Sequence, residues 1–454
     1  MYKKKLTSII NSRSGFIHIA VWIILVILGT YIFYKRYPYN YTVPNFYAED
    51  GKDYIVNLYN NGLAKSTFTL FNGYLIVGQY IVGYIAIIIN NIFGNGFVTL
   101  PKAISIASYI TLSTACTLPW LMFRRRLGSM LSLLTVTLLL FTPFGGWDYA
   151  IVGTIGNLKF VFMYIAVLLV IFRNDIKICP EKSIAIYLTD IFLMICIFTN
   201  VLAVAVLPLA LLRYRGLIKI RPLKSIVKKS PISMKFLFGM LTLSLIYIFI
   251  IKLKGIPEIE GYLDQPMDKL GLMNSIYRSS WFGLIYPIHN IMNYFAVFAL
   301  LLIMPTPLIA KKHRVVMIVI IFGILVAALG FVANRPGVTL TTRGFVGDGG
   351  PAQFFYAGTM IFIFGFMYFI SDWVKNMNKI SKSVFLYFAV IYLFISIPYA
   401  NTSRLSQAQV FNRPNIYASL QEACLYKGEF VVVAIYPTEK WELTIKRDVA
   451  CQGQ

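Results

Sequence analysis

Residues 101–142 read PKAISIASYITLSTACTLPWLMFRRRLGSMLSLLTVTLLLFT, two apolar runs joined by Arg124-Arg125-Arg126. Runs of this kind can satisfy their backbone hydrogen bonds in lipid only as helices, and no strand-like alternation is present. A basic triplet between two of them marks a chain that turns at a membrane surface and re-enters. The pattern recurs. Apolar segments lie near 16–34, 73–93, 101–123, 129–142, 158–172, 184–198, 200–212, 236–252, 290–310, 315–333, 354–371 and 384–400. The 454-residue chain is 58% hydrophobic and 13% charged, with a mean hydropathy of +0.70, whereas soluble domains carry about 25% charged residues.

The net charge is +24, and 24 of the 42 Lys and Arg fall in six connections: 3–13, 124–126, 173–182, 213–235, 311–314 and 375–382. Basic residues hold loops in the cytoplasm, so these six are assigned there, and the charge needs no nucleic-acid partner. No phosphate-binding glycine loop and no zinc-ligand spacing occur. The N-terminal run is followed by Lys35-Arg36-Tyr37-Pro38 rather than a small-residue cleavage site, which reads as an uncleaved first span. Three apolar segments separate the N-terminus from the Arg124 triplet, and an odd number of crossings cannot return a chain to one side. Segment 73–93, with Gly73, Gly78 and Gly83 and ending in Asn90-Asn91, is read as interfacial or re-entrant. Segments 184–198 and 200–212 are short and broken by Thr199-Asn200 and Pro208, which suits a tight hairpin packed inside protein.

The expectation is an all-α polytopic membrane protein with about 11 transmembrane helices over 1–400. An interfacial helix would lie in the first exported loop, and a small α/β tail at 401–454 would be exported. The N-terminus is cytoplasmic and the C-terminus is outside. Exported loops at 35–72, around Asp148, at 253–289 and at 334–353, with the tail, hold 14 of the 18 acids. Chemistry that needs carboxylates is therefore expected outside.

Cys116 and Cys196 fall in spans and Cys179 in a cytoplasmic loop, whereas Cys424 and Cys451 share the exported tail. A bridge between these two is expected, because the compartment permits it and the tail is too small for a large core. It would close a loop worth roughly 3–4 kcal/mol in the chain-entropy model. Two strands are expected in the tail, near 429–436 and 441–446, separated by Pro437.

The sharpest chemical feature is Asn45-Phe-Tyr-Ala-Glu49-Asp50-Gly-Lys-Asp53, leading into Tyr54, Ile55, Leu58, Tyr59 and Leu63 on one face of a short helix on the membrane. Asp50 could cap that helix and Asp53 could complement its dipole. Adjacent carboxylates suit a transferase better than a glycosidase, whose two acids flank the bond from separate directions. A transferase needs one base for the acceptor hydroxyl when a phosphate leaves. The base is assigned to Asp50, with Glu49 second or orienting the acceptor. Cations for a leaving phosphate are Arg278, Arg335, Arg343, Lys159, Lys254 and Lys269, and Asp148 joins the candidate substrate contacts. Trp147, Tyr149, Trp281, Tyr286 and Tyr294 suit sugar stacking or an aromatic belt equally.

The order of parts resembles the GT-C superfamily of polytopic glycosyltransferases. Ala48-Glu49-Asp50-Gly51 followed by Gly73-Tyr74-Leu75 resembles a bacterial membrane-protein pattern of Glu-Asp-Gly and then Gly-Tyr-Leu. Size and tail are most like the serotype-converting O-antigen glucosyltransferases. The resemblance implies inverting transfer of a sugar, glucose for that group, from a polyprenyl-phosphate donor to a periplasmic glycan such as O-antigen. It implies residence in the bacterial inner membrane beside a donor synthase and a small flippase. No cofactor is expected, and nothing in the sequence requires a metal. An Arg-Tyr pair expected at the entry to a late span is replaced by Ala352-Gln-Phe-Phe-Tyr356. Two rivals stay open. An O-antigen polymerase or ligase would be organised around Arg and His in a late exported loop. A lipid-glycan flippase or transporter would carry ionisable residues near mid-membrane, where Asp190 is the one clear candidate.

Overall fold

The computed structural model describes residues 13–71, 73–94, 96–141, 151–175, 183–215, 231–254, 314–334, 356–401, 416–435 and 442–451. It is mostly helical. Helices α1 (Arg13–Arg36), α2 (Val56–Thr67), α3 (Val77–Phe93), α4 (Leu100–Leu127), α5 (Ser129–Phe141), α6 (Leu158–Asn174) and α7 (Ile184–Ile197) come first. A 3-10 helix, Val201–Tyr214, follows, then α8 (Ile232–Lys254), α9 (Arg314–Asn334), α10 (Tyr356–Asn376) and α11 (Lys379–Asn401). The expected segment 290–310 lies outside the described residues.

Helix α6 is the hub. Val161, Tyr164, Val167, Leu168, Val170 and Ile171 are all fully buried, and α4, α7, the 3-10 helix, α9 and α10 pack around it. The perimeter is the reverse. α1 exposes Phe16, Ile24, Ile27 and Leu28, α8 exposes Leu245 and Phe249, and α11 exposes Tyr387, Phe388 and Phe394. Apolar rows this long facing outward have lipid as their natural solvent. Against about 11 expected spans, four described helices are long and apolar enough to cross a membrane: Phe16–Arg36, Phe97–Leu127, Ile232–Leu253 and Tyr356–Asn376. Others are shorter for a physical reason. A helix of 13 residues such as α5 reaches only about 20 Å at 1.5 Å per residue, less than a hydrocarbon core.

Close approach of α1 to α4 depends on Gly29, where a Cβ would fall 2.2 Å from Ser113 Oγ. Ser113 Oγ donates to the Val26 carbonyl at 2.7 Å, and Trp22 Nε1 donates to Thr117 Oγ1 at 3.1 Å. Small residues with interhelical hydrogen bonds are the usual adhesive between apolar helices.

The bundle has two chemically distinct ends. At one, Arg124 meets His18 at 3.2 Å, Arg126 pairs with Asp372 at 3.0 Å, and Tyr368 donates to Asp175 at 3.3 Å. Lys375 donates to the Arg126 carbonyl and Arg213 to that of Arg173, so four of the basic connections contribute residues to this end or its immediate flank. The opposite end carries the first loop. Both ends of α3 are tied to it. Val77 N donates to Phe198 O in the turn between α7 and the 3-10 helix, and Asn90 Nδ2 donates to Gly96 O just before α4.

The tail folds as expected, with α12 (Ile416–Leu425), strands β1 (Phe430–Ala434) and β2 (Glu442–Lys446), and a last turn α13 (Arg447–Ala450). The strands pair antiparallel, Phe430 opposite Lys446 and Val432 opposite Thr444. Cys424 and Cys451 form a disulfide with Cα atoms 6.0 Å apart. Cys116 and Cys196 are free and buried.

Candidate functional site

The acidic stretch sits at the end of the bundle opposite the Arg126–Asp372 pair. Its backbone is unusual twice over. Ala48 takes φ +40°, a left-handed conformation that a residue with a Cβ adopts at a cost of order 1–3 kcal/mol. Asp50–Ile55 then winds as a π turn before α2 begins, and π turns within helices are frequent at functional sites.

Asp50 is 1% exposed. Its Oδ2 accepts from Ile155 N at 2.8 Å and its Oδ1 from Gly156 N at 2.7 Å. These amides belong to a buried turn just before α6, so the carboxylate occupies the anion-seeking N-terminal end of the hub helix. That turn is itself tied down. Asn40 Nδ2 donates to Val152 O at 2.6 Å, Ser105 Oγ to Gly153 O at 3.3 Å, and Gly153 N to Ser108 Oγ at 3.1 Å. Gly153 has φ +87°, and a Cβ there would strike Asn40 at 2.7 Å. Gln79 of α3 is fully buried and donates to Gly156 O at 3.5 Å.

Burial raises the Asp50 carboxyl to about 7; the two amide bonds pull it back down and the charge of Glu49 pushes it up. Asp53 is also raised, by burial first and by Glu49, with Lys52 opposing. Glu49 and Asp53 are half-buried, so substrate can reach them in a way it cannot reach Asp50. Asp50, to which the sequence reading assigns the base, is thus shut off, and Glu49 is the more accessible of the two adjacent acids. Asp50, with both oxygens engaged, fixes the turn.

The Gly73-Tyr74-Leu75 stretch joins the same site. Tyr54 packs edge-on to Phe71 at 5.2 Å, and Phe71 to Tyr74 at 6.1 Å. Lys159 Nζ donates to Tyr74 Oη at 3.3 Å, and Leu75 N donates to Tyr247 Oη of α8 at 2.7 Å. Of the sequence-assigned contacts the structure thus brings Lys159 to Tyr74, in the second of the two stretches. Asp148, Arg278, Arg335 and Arg343 lie outside the described residues, as do Trp147, Tyr149, Lys269, Trp281, Tyr286 and Tyr294.

One expectation is corrected here. The apolar face of the first-loop helix does not lie open to the membrane: Tyr54, Ile55 and Leu58 are 1%, 0% and 4% exposed. They are covered by α3 and the turn before α6, where a Cβ on Gly83 would lie 2.8 Å from Leu58. The anchors Asn40, Ser105, Ser108 and Tyr247 were missed. Two glycines, Gly153 and Gly156, just before an apolar run were the available signal for an anion-binding helix start.

No group of three or more potential metal ligands occurs among the described residues. Set against family models, characterised proteins and solved structures, the chain has no match.

Proposed function

We propose that this chain is a GT-C-like membrane glycosyltransferase that moves a sugar from a polyprenyl-phosphate donor to a surface glycan on the exported side. The observation that carries the reading is the convergence of the two stretches that resemble the family. The Glu49-Asp50 turn is strained and anchored, and Tyr74 stands beside it with the Lys159 ammonium at its hydroxyl. Glu49 takes the proton of an acceptor hydroxyl, and the hydroxyl oxygen attacks the anomeric carbon. The bond to the phosphate breaks, and the lipid phosphate leaves with the electron pair. Lys159 neutralises the developing charge as a point cation. Tyr74, half-buried, offers an aromatic face to a sugar ring.

Within this reading about 11 spans cross a bacterial inner membrane, with the Arg124 triplet inside and the tail outside. The path of α3, bonded at both ends to one end of the bundle, supports the parity argument that it does not cross. The test is sugar addition to lipopolysaccharide in cells supplied with lipid-linked donor, at matched protein levels. Glu49→Gln is expected to lower transfer by about 10²–10⁴-fold, the contribution of a positioned base. Near-normal transfer by Glu49→Gln and by Asp53→Asn alike would remove the acidic turn from catalysis and favour the ligase or transporter readings.

A further inference from the structure

The disulfide-closed tail sits directly on the acidic turn. Ile435, just beyond β1, is fully buried, and its Cδ1 lies 3.2 Å from where a Cβ on Gly51 would be, one residue after Asp50. Strand β2 packs on the π turn and on α2, and α12 and α13 pack on the Phe97–Thr99 turn. Phe97 in turn meets Phe46 at 5.1 Å and Tyr59 at 5.9 Å, so the contact reaches both sides of the acids.

The lobe is held together by few devices. A hairpin of five paired positions needs further support to be stable in water. Arg447 supplies some, donating to Cys424 O at 2.5 Å and to Tyr426 O, while its own N–H bonds Glu429 O at 2.9 Å. A small core of Leu420, Val431, Val433, Leu443 and Ile445 and the bridge between Cys424 and Cys451 supply more, and both cysteines are half-buried, within reach of a small thiol. The turn beneath it carries the strained Ala48, a conformation that persists only where its surroundings impose it.

We infer that the tail is a clamp: Ile435 is a positioning residue that holds the Glu49–Asp53 turn in shape, and the Cys424–Cys451 bridge makes that hold thiol-sensitive. What the clamp serves rests on the proposed active site, but the clamp itself is read without any activity. Reduction by dithiothreitol breaks the S–S bond and leaves two thiols. The electrons and protons come from the reagent, which closes to its own cyclic disulfide. The lobe loses its loop closure and Ile435 leaves Gly51.

The experiment is hydrogen exchange read by mass spectrometry on the full chain in detergent. It compares the oxidised protein, the dithiothreitol-treated protein, Ile435→Ala and Ile435→Val. Reduction and Ile435→Ala are expected to speed exchange across 46–56 by about tenfold or more, while α6 and α10 keep their protection. Ile435→Val removes the Cδ1 that meets Gly51 and keeps the rest of the side chain, so it gives a smaller rise across the same residues. In the transfer assay Ile435→Ala lowers kcat with little change in the KM for donor. Retained protection over 46–56 when β1 and β2 have lost theirs overturns the clamp. Retained protection of the lobe after reduction overturns the role of the bridge. If Ile435→Ala loses protection throughout, the reduction arm decides. Failure of the glycosyltransferase reading leaves the exchange result standing, so the two are separable.

Discussion

Removing the carboxylate of Asp190 should destabilise the whole bundle, and removing its partner as well should restore much of what is lost. Arg173 and Asp190 are both fully buried. Arg173 Nε donates to Asp190 Oδ1 at 2.5 Å and Nη2 to Oδ2 at 3.2 Å, a two-point fork. The guanidinium also donates to Ala210 O at 3.3 Å and Ser233 O at 3.1 Å, so one side chain ties α6 to α7, the 3-10 helix and the first turn of α8. Asp190→Asn leaves a cation in the interior without its counter-charge, which costs about 3–5 kcal/mol. Arg173→Met with Asp190→Leu removes both charges, and such replacements are close to neutral, less roughly 1 kcal/mol for each bond to Ala210 and Ser233. The double variant should therefore melt above either single one. The assay is a double-mutant cycle on thermal unfolding in one detergent, followed by size-exclusion fluorescence. Wild-type melting of the single variants, or strictly additive losses in the double, would refute the coupling. The outcome also bears on the transporter rival. A transport carboxylate would lose function on Asp190→Asn with stability intact, and the double variant would rescue nothing.

Other expectations are shorter. Asp50→Asn offers one acceptor to two N–H donors, so it should loosen the 151–157 turn by about 1–3 kcal/mol, seen as faster exchange at Ile155 and Gly156; unchanged exchange there would contradict the anchoring role. Glu49→Gln should leave those amides as in wild type. Because burial raises Asp50 from 3.8 to about 7, its contribution to stability is fully present below 3.8 and is lost as pH rises through about 7. Opening of residues 49–55 should thus increase from about pH 4 to 7 and level off above that in wild type, and stay flat in Asp50→Asn; a slope in both would assign the effect elsewhere. Alkaline phosphatase fused after Gln454 should be active and after Arg126 inactive; the reverse pattern would invert the membrane orientation.

Helix positions were legible from sequence wherever a local rule governs them. Apolar length placed α1, α4, α5, α6 and α8–α11 close to their observed bounds, because a lipid-facing or core helix announces itself by composition. The tail hairpin followed from two β-branched runs around a proline, and its bridge from two cysteines in one short segment read as exported. The apolar face of α2 was legible as a face but not in its partner. Periodicity says that a stripe is buried and is silent on whether lipid or protein buries it.

What stayed hidden depends on contacts far apart in the chain. Asp50 meets Ile155 and Gly156 across more than 100 residues, and Arg173 pairs with a carboxylate that sequence reading had offered as a transport residue. The different surroundings of the two adjacent acids were hidden for a related reason. Glu49 and Asp50 are neighbours of similar chemistry, and nothing local ranks them. On a helical turn consecutive side chains point about 100° apart, so two adjacent acids cannot both face the same partner. Once the amides before α6 take Asp50, its neighbour is turned aside and remains half-buried. The strained φ of Ala48 lies immediately before this pair, where the chain must be redirected for one acid to anchor and the other to stay accessible. The two carboxylates therefore divide the work by geometry: the buried one sets where the turn sits, and the accessible one meets whatever enters the site.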